Sequence, residues 1–142
     1  MNRERKRLVR HRLERSRAAL AVGERLLSTS DYLDAVNRFY YAAFHAARAL
    51  LAAAAVRSTG HKSAIVMFQK HFVKTGRIDS DTAKALPRAF QLRQAADYED
   101  FPTVAIEHAH ATHAEVLAFV ERCERVVAEM IATEPDGDGD QV

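Results

Sequence analysis

Cysteine is nearly missing from this chain: Cys123 is the one example in 142 residues. A lone thiol excludes a disulfide framework and a cysteine-built zinc site, and it fits a reducing compartment. Long apolar runs are missing too, none approaching the ~18 residues of a membrane span. No apolar segment of a secretory signal follows the arginine-rich start. The expectation is a cytoplasmic protein with no membrane association. Glycine and proline number only 5 and 3, and strand-type alternation is nearly absent. So are the loops that much nucleotide chemistry uses. There is no GxxxxGK followed by Ser or Thr, no GxGxxG, no nucleophile elbow, and no Gly-Ser followed by paired aspartates. Nucleotide hydrolysis and nucleotidyl transfer of those types are excluded.

What is present is helical periodicity in a chain long enough for one domain with a real core. Val9, Leu13, Ser16, Leu20, Gly23 and Leu27 recur at 4-3-4-3-4, which predicts a helix from about residue 4 to Leu27. The small Ser16 and Gly23 would let a neighbour approach closely. Asp31 is the expected N-cap of a second helix reaching about Ala55. A third spans roughly His61 to Thr75, with Gly76 as its stop. Asp79 and Ser80 cap a short piece that Pro87 interrupts or restarts, and that segment reaches about Tyr98. After Phe101-Pro102-Thr103, with Thr103 as N-cap, a last helix runs from Val104 to about Ala132. Its apolar stripe is Val116, Phe119, Val120, Val126, Val127 and Met130. The fold expected is all-α, an antiparallel up-and-down bundle of four to five helices.

The net charge of +2 conceals an asymmetry. Residues 1–17 carry Arg3, Arg5, Lys6, Arg7, Arg10, Arg12, Arg15 and Arg17 against Glu4 and Glu14. Residues 1–7 read as a basic arm and 134–142 as a disordered acidic tail, flanking a single domain that ends at 133. A basic segment attracts phosphate or an acidic partner, or simply forms a solvated helix face.

The second helix carries the chemistry. From Asn37 to Leu51 it is rich in alanine and aromatics and free of glycine and proline, the composition of a segment buried on most sides. Yet Arg38, Tyr41, His45 and Arg48 fall three, four and three residues apart, along one stripe. Such a stripe is either an internal hydrogen-bond network or the wall of an active site. Cleaving RNA takes a histidine titrating near neutrality to move a proton on the 2′-hydroxyl or leaving oxygen, and an arginine to stabilise the phosphate in the transition state. Arg38 and His45 are of those types, with Tyr41 between them to donate a hydrogen bond or stack on a base. No metal is required.

Three other groups are candidates. Arg93 and Asp97 lie four apart and pair on their own helix, with Tyr98 docking beside them, or Arg93 turns towards the stripe and completes a polar pocket. Gly60-His61-Lys62-Ser63 holds a phosphate at a helix start or forms a plain turn and cap. Glu107, His108, His110 and His113 lack the HExxH arrangement and a third strong ligand, so no metal is assigned.

These residues carry a resemblance. The run from Tyr32 to Leu51, Gly60-His61-Lys62, the segment Phe68 to Ile78, and Leu92-Arg93-Gln94-Ala95-Ala96-Asp97-Tyr98 together resemble small stand-alone prokaryotic HEPN domain proteins. Order and spacing agree from about residue 8 to 130. The resemblance implies an antiparallel helical bundle that often forms homodimers and is frequently encoded beside a minimal nucleotidyltransferase, the HEPN member being the toxin and a ribonuclease. It implies no cofactor. The HEPN nuclease motif is an arginine, four to six residues, then a histidine, and Arg38 and His45 fit it. Active members often have a small polar residue after that arginine, where this chain has Phe39, and Asp97 stands where a late-helix histidine belongs. Tyr98 is, by position, the tyrosine that such partners modify. The alternative is a non-catalytic module of the same family that binds a nucleotide or a protein.

Overall fold

The computed structural model describes residues 1–133, so the acidic tail expected at 134–142 lies outside the described residues. Helix α1 spans Arg3–Ser28, α2 Tyr32–Ala53 and α3 His61–Phe68, which runs on through a π-type turn at Gln69–Val73. A short α4 (Ser80–Ala83), α5 (Ala85–Tyr98) and a long α6 (Ile106–Thr133) follow. Among the described residues there is no strand, and the helices pack as an all-α bundle.

Helix α2 is its axis: fifteen of its 22 residues are buried. Alanines at 42, 43, 46, 47, 49, 52 and 53 allow α1, α3, α5 and α6 to close around it. Antiparallel pairing with α1 is fixed at Ser16, whose hydroxyl donates to the Ala42 carbonyl at 2.7 Å, and at Arg12, whose Nη1 donates to the Arg48 carbonyl at 2.9 Å. Gly23 brings the backbones close: a Cβ there would lie 2.5 Å from the Phe39 ring. Both small residues do what the seam requires of them. Helix α6 lies antiparallel to α1, tied by Arg17 to Glu124 and by Glu24 to His113. Its expected stripe, Val116 to Met130, is buried in full.

Several boundaries move. Residues from Arg3 onward are helical, Asn2 caps them by accepting from the Arg5 N–H at 2.8 Å, and Met1 is buried. The expected basic arm is therefore the opening of α1. Asp31 makes no capping bond with its side chain, which instead accepts from the Thr29 hydroxyl. Helix α6 begins at Ile106, so Thr103 is not its cap. Asp79 caps α4 by accepting from the Thr82 N–H at 3.0 Å, as expected. Pro87 sits in the first turn of α5, where no N–H is needed. Gly76, at φ +78°, ends the α3 segment.

Candidate functional site

The exposed side of the α1–α2 hairpin is a groove with two openings. The first, of about 400 Å³, is lined by Arg38, Tyr41 and His45 of α2 and by Arg15, Ala18, Ala19 and Val22 of α1. The second, of about 730 Å³, continues with Arg48, Ala52 and Ala55 against Arg12, Leu8 and Arg5. In the antiparallel register set by Arg12 and Arg48, the walls run opposite one another in order. Val22 faces Arg38, Ala19 faces Tyr41, Arg15 faces His45, Arg12 faces Arg48, and Leu8 faces Ala52. From Arg38 to Ala52 and from Leu8 to Val22 both walls recur at 3-4-3-4, so each is one stripe of its helix, about 21 Å long.

Tyr41 organises the first opening. Arg38 places its guanidinium over that ring at 5.2 Å, and Arg93 reaches across from α5 to the same ring at 5.1 Å. Arg93 also lies 5.4 Å from the ring of Tyr40. Its link to Asp97 is loose, 3.9 Å from Nε to an exposed carboxylate. Of the two roles open to Arg93, the turn towards α2 prevails, because two aromatic faces attract a guanidinium more than one solvated carboxylate does.

His45 is 6% exposed and its Nδ1 has no hydrogen-bond partner. Burial, followed by the charges of Arg15, Arg48 and Arg12, lowers its pKa to about 4. The expectation of a ring titrating near neutrality is corrected: between three guanidiniums and out of water, the protonated form is disfavoured. At pH 7 this imidazole is neutral, able to accept a proton or to donate one hydrogen bond.

Behind Tyr41 lies a second histidine. The hydroxyl of Tyr40 and Nδ1 of His61 share a hydrogen bond of 2.5 Å, and the ring of His61 stacks on Phe44 at 4.3 Å. Phe90 closes the cluster from α5. Burial, then Arg93 and Arg48, lowers the His61 pKa, while burial raises that of Tyr40. His61 therefore braces α2 from the N-terminus of α3.

The sequence candidates thus separate. Arg38, Tyr41, His45, His61 and Arg93 come together around the first opening, and Arg48 belongs to the second. Lys62 is exposed, lines neither opening and has no bonded partner among the described residues. Tyr98 is 87% exposed at the end of α5. His113 bonds to Glu24 and stacks on Phe39, and no group of acidic, histidine or cysteine side chains among the described residues is arranged to hold a metal ion. No described helix is long and apolar enough to cross a membrane. Sequence reasoning missed Arg12 and Arg15 as groove residues, and the partnership of Tyr40 with His61.

Comparison with known proteins accords with this architecture. The HEPN domain family model matches residues 9–132. A Thermotoga maritima protein named "UPF0332 protein" is 27% identical over 127 residues, covering 89% of this chain and 96% of that one. Two Methanocaldococcus jannaschii proteins, each named "putative toxin", are also similar. One is 34% identical over 79% of this chain and 83% of its own length, the other 31% identical over 71% and 67%. With nearly the whole helical bundle matched, the chain belongs to the HEPN domain family.

Proposed function

We propose that this protein is a cytoplasmic toxin-like HEPN component that cleaves RNA without a metal ion, working as a homodimer with a nucleotidyltransferase partner. The observation that carries the reading is the meeting of Arg38, Tyr41 and His45 in one open groove. The toxin naming of the M. jannaschii relatives supports it. In this reading the neutral His45 ring accepts the proton of a ribose 2′-hydroxyl. That oxygen attacks the adjacent phosphorus, the O5′ bond breaks, and the leaving oxygen takes the proton that His45 has just accepted. Arg38, with Arg93 at the same Tyr41 ring, stabilises the charge gathering on the phosphate oxygens. A phosphate bound beside Arg15 and Arg38 offsets the charges that depress the His45 pKa and raises it towards the range useful at pH 7. The exposed Tyr98 is the modification target, addressed by the nucleotidyltransferase.

A second reading, a non-catalytic nucleotide-binding or dimerisation module, is favoured by the burial of His45 and by Phe39, fully buried directly after the motif arginine. Single-stranded RNA incubated with chelator, and with wild-type protein, Arg38→Ala or His45→Ala, separates the two. Cleavage by the wild type alone supports the nuclease, and equal cleavage by all three, or by none, supports the module.

A further inference from the structure

One end of the bundle gathers cations. Helix α1 starts there, and because α2 and α6 both run antiparallel to it, both finish there. The second opening of the groove lies at this end, with Arg5 and Arg12 of α1, Arg48 of α2 and Arg57 of the following turn on its rim. Glu4 is the one acidic side chain on the lining. None of the four arginines pairs with a carboxylate among the described residues, whereas Arg17, Arg88, Arg93 and Arg122 each do. Arg12 is drawn inward by its bond to the Arg48 carbonyl, and burial with the charge of Arg48 lowers its pKa. Two guanidiniums held together without a counterion are disfavoured until an anion joins them.

Helix α6 reaches the same end. In the register set by Arg17 with Glu124 and Glu24 with His113, Thr133 stands level with the first two turns of α1. Directly after it the sequence reads Glu134-Pro135-Asp136-Gly137-Asp138-Gly139-Asp140, in which every second residue is acidic and none is basic. In an extended chain alternate side chains point the same way, so all four carboxylates can be presented together. Such a segment reaches about 23 Å, and crossing the start of a helix takes about 10 Å.

We infer that the second opening is the docking surface for the chain's own acidic segment, 134–140, which crosses the start of α1 and lays its carboxylates among Arg5, Arg12, Arg48 and Arg57. The segment supplies the counterions that the hairpin lacks. Each exposed ion pair is weak, but the tether makes the encounter intramolecular and several pairs act together. The result is a strap that salt loosens. It requires no reaction at His45, so the inference holds whether or not the protein cleaves RNA.

A nitroxide attached at Gln141→Cys in the full, isotope-enriched chain reports where the segment goes, because the buried Cys123 does not take the label. At low salt the amide signals of Leu8, Ala52 and Arg57 should lose about half their intensity or more. They should recover it in about 0.5 M sodium chloride. Those of Leu92 and Ala111, on the α5–α6 side, should not change. Asp136→Asn, Asp138→Asn and Asp140→Asn together should restore the groove signals, and Arg57→Gln alone should restore them in part. Arg57 lies outside the helices, so its variant keeps the fold. Lys74→Gln, an exposed basic residue outside the groove, should leave the broadening as it is. Groove signals untouched by the nitroxide overturn the inference. So does broadening confined to the surroundings of Arg10, outside the groove, or a loss that persists in the neutralised segment. Spin-labelled chains mixed with enriched, unlabelled ones should leave the groove signals intact. Broadening there would give the opening to the segment of a second copy and overturn the intramolecular occupant.

Discussion

The two flanks of α1 treat positive charge in opposite ways. Towards α6, Arg17 is bound twice by Glu124, at 2.6 and 2.8 Å, and His113 meets Glu24 at 2.8 Å. Towards α2, Arg12 and Arg15 face His45 and Arg48, and no carboxylate pairs with any of them among the described residues. The first flank uses charge to fix two helices against each other. The second leaves charge uncompensated, which helps only if something anionic arrives from outside the hairpin. Hydrophobic burial around α2 stabilises the bundle enough to tolerate this.

The contrast can be broken at its strongest point first. Arg38→Ala or His45→Ala should each lower RNA cleavage by at least about a hundredfold, the scale of a lost general base or a lost charge-stabilising group. Single-turnover assays on one RNA substrate measure it. Normal rates in either variant would move the chemistry elsewhere.

Stability against pH tests the same flank next. Unfolded, His45 takes up a proton near its ordinary value of 6.5, and folded only near about 4. In that interval the unfolded chain binds more protons, so stability falls as pH drops from 6.5 towards 4, by about 2–3 kcal/mol in all. The His61 shift acts in the same direction. Urea unfolding at a series of pH values should show this loss, and His45→Phe should flatten it. An unchanged slope in that variant would assign the acid sensitivity to other groups.

A smaller effect is expected where the two flanks join. Gly23→Ala should destabilise by about 1–3 kcal/mol even though alanine is the better helix former, because its Cβ would lie 2.5 Å from the buried Phe39 ring. Thermal unfolding decides the sign, and a stabilised variant would mean that the ring yields freely. Least of all, Arg17→Ala should cost about 0.5 kcal/mol, since the pair with Glu124 is largely solvated, and should leave RNA affinity nearly unchanged. A clear loss of RNA affinity in this variant would erase the distinction between the flanks.

Much of this was legible before any coordinates. The seam of α1 and the stripe of α6 follow from apolar spacing alone, because one periodic face must be buried. Arg38, Tyr41 and His45 share a wall for the same reason. The opposite wall was equally periodic, with Leu8, Arg12, Arg15, Ala19 and Val22 one position before the apolar seam. Reading residues 1–17 as a single basic segment hides it, because total charge discards phase. The His45 pKa was not legible, since it depends on three guanidiniums from two helices and on burial that spacing does not report. Nor was the choice made by Arg93, which depends on how α5 is rotated against α2. Thr103 shows a further limit: a residue suited to capping is used only if the chain's path brings it to the helix end, and Asp31, which does stand at the start of α2, uses its carboxylate to accept from the Thr29 hydroxyl instead.

Because the channel's two walls repeat every two turns and run in opposite directions, the hairpin is modular in length. Seven residues inserted into each helix at matching heights would extend the trough by about 10 Å while every side chain beyond the insertion kept its phase. A longer or shorter ligand could thus be accommodated by resizing the hairpin alone, with the stretch from Arg38 to His45 left as it is.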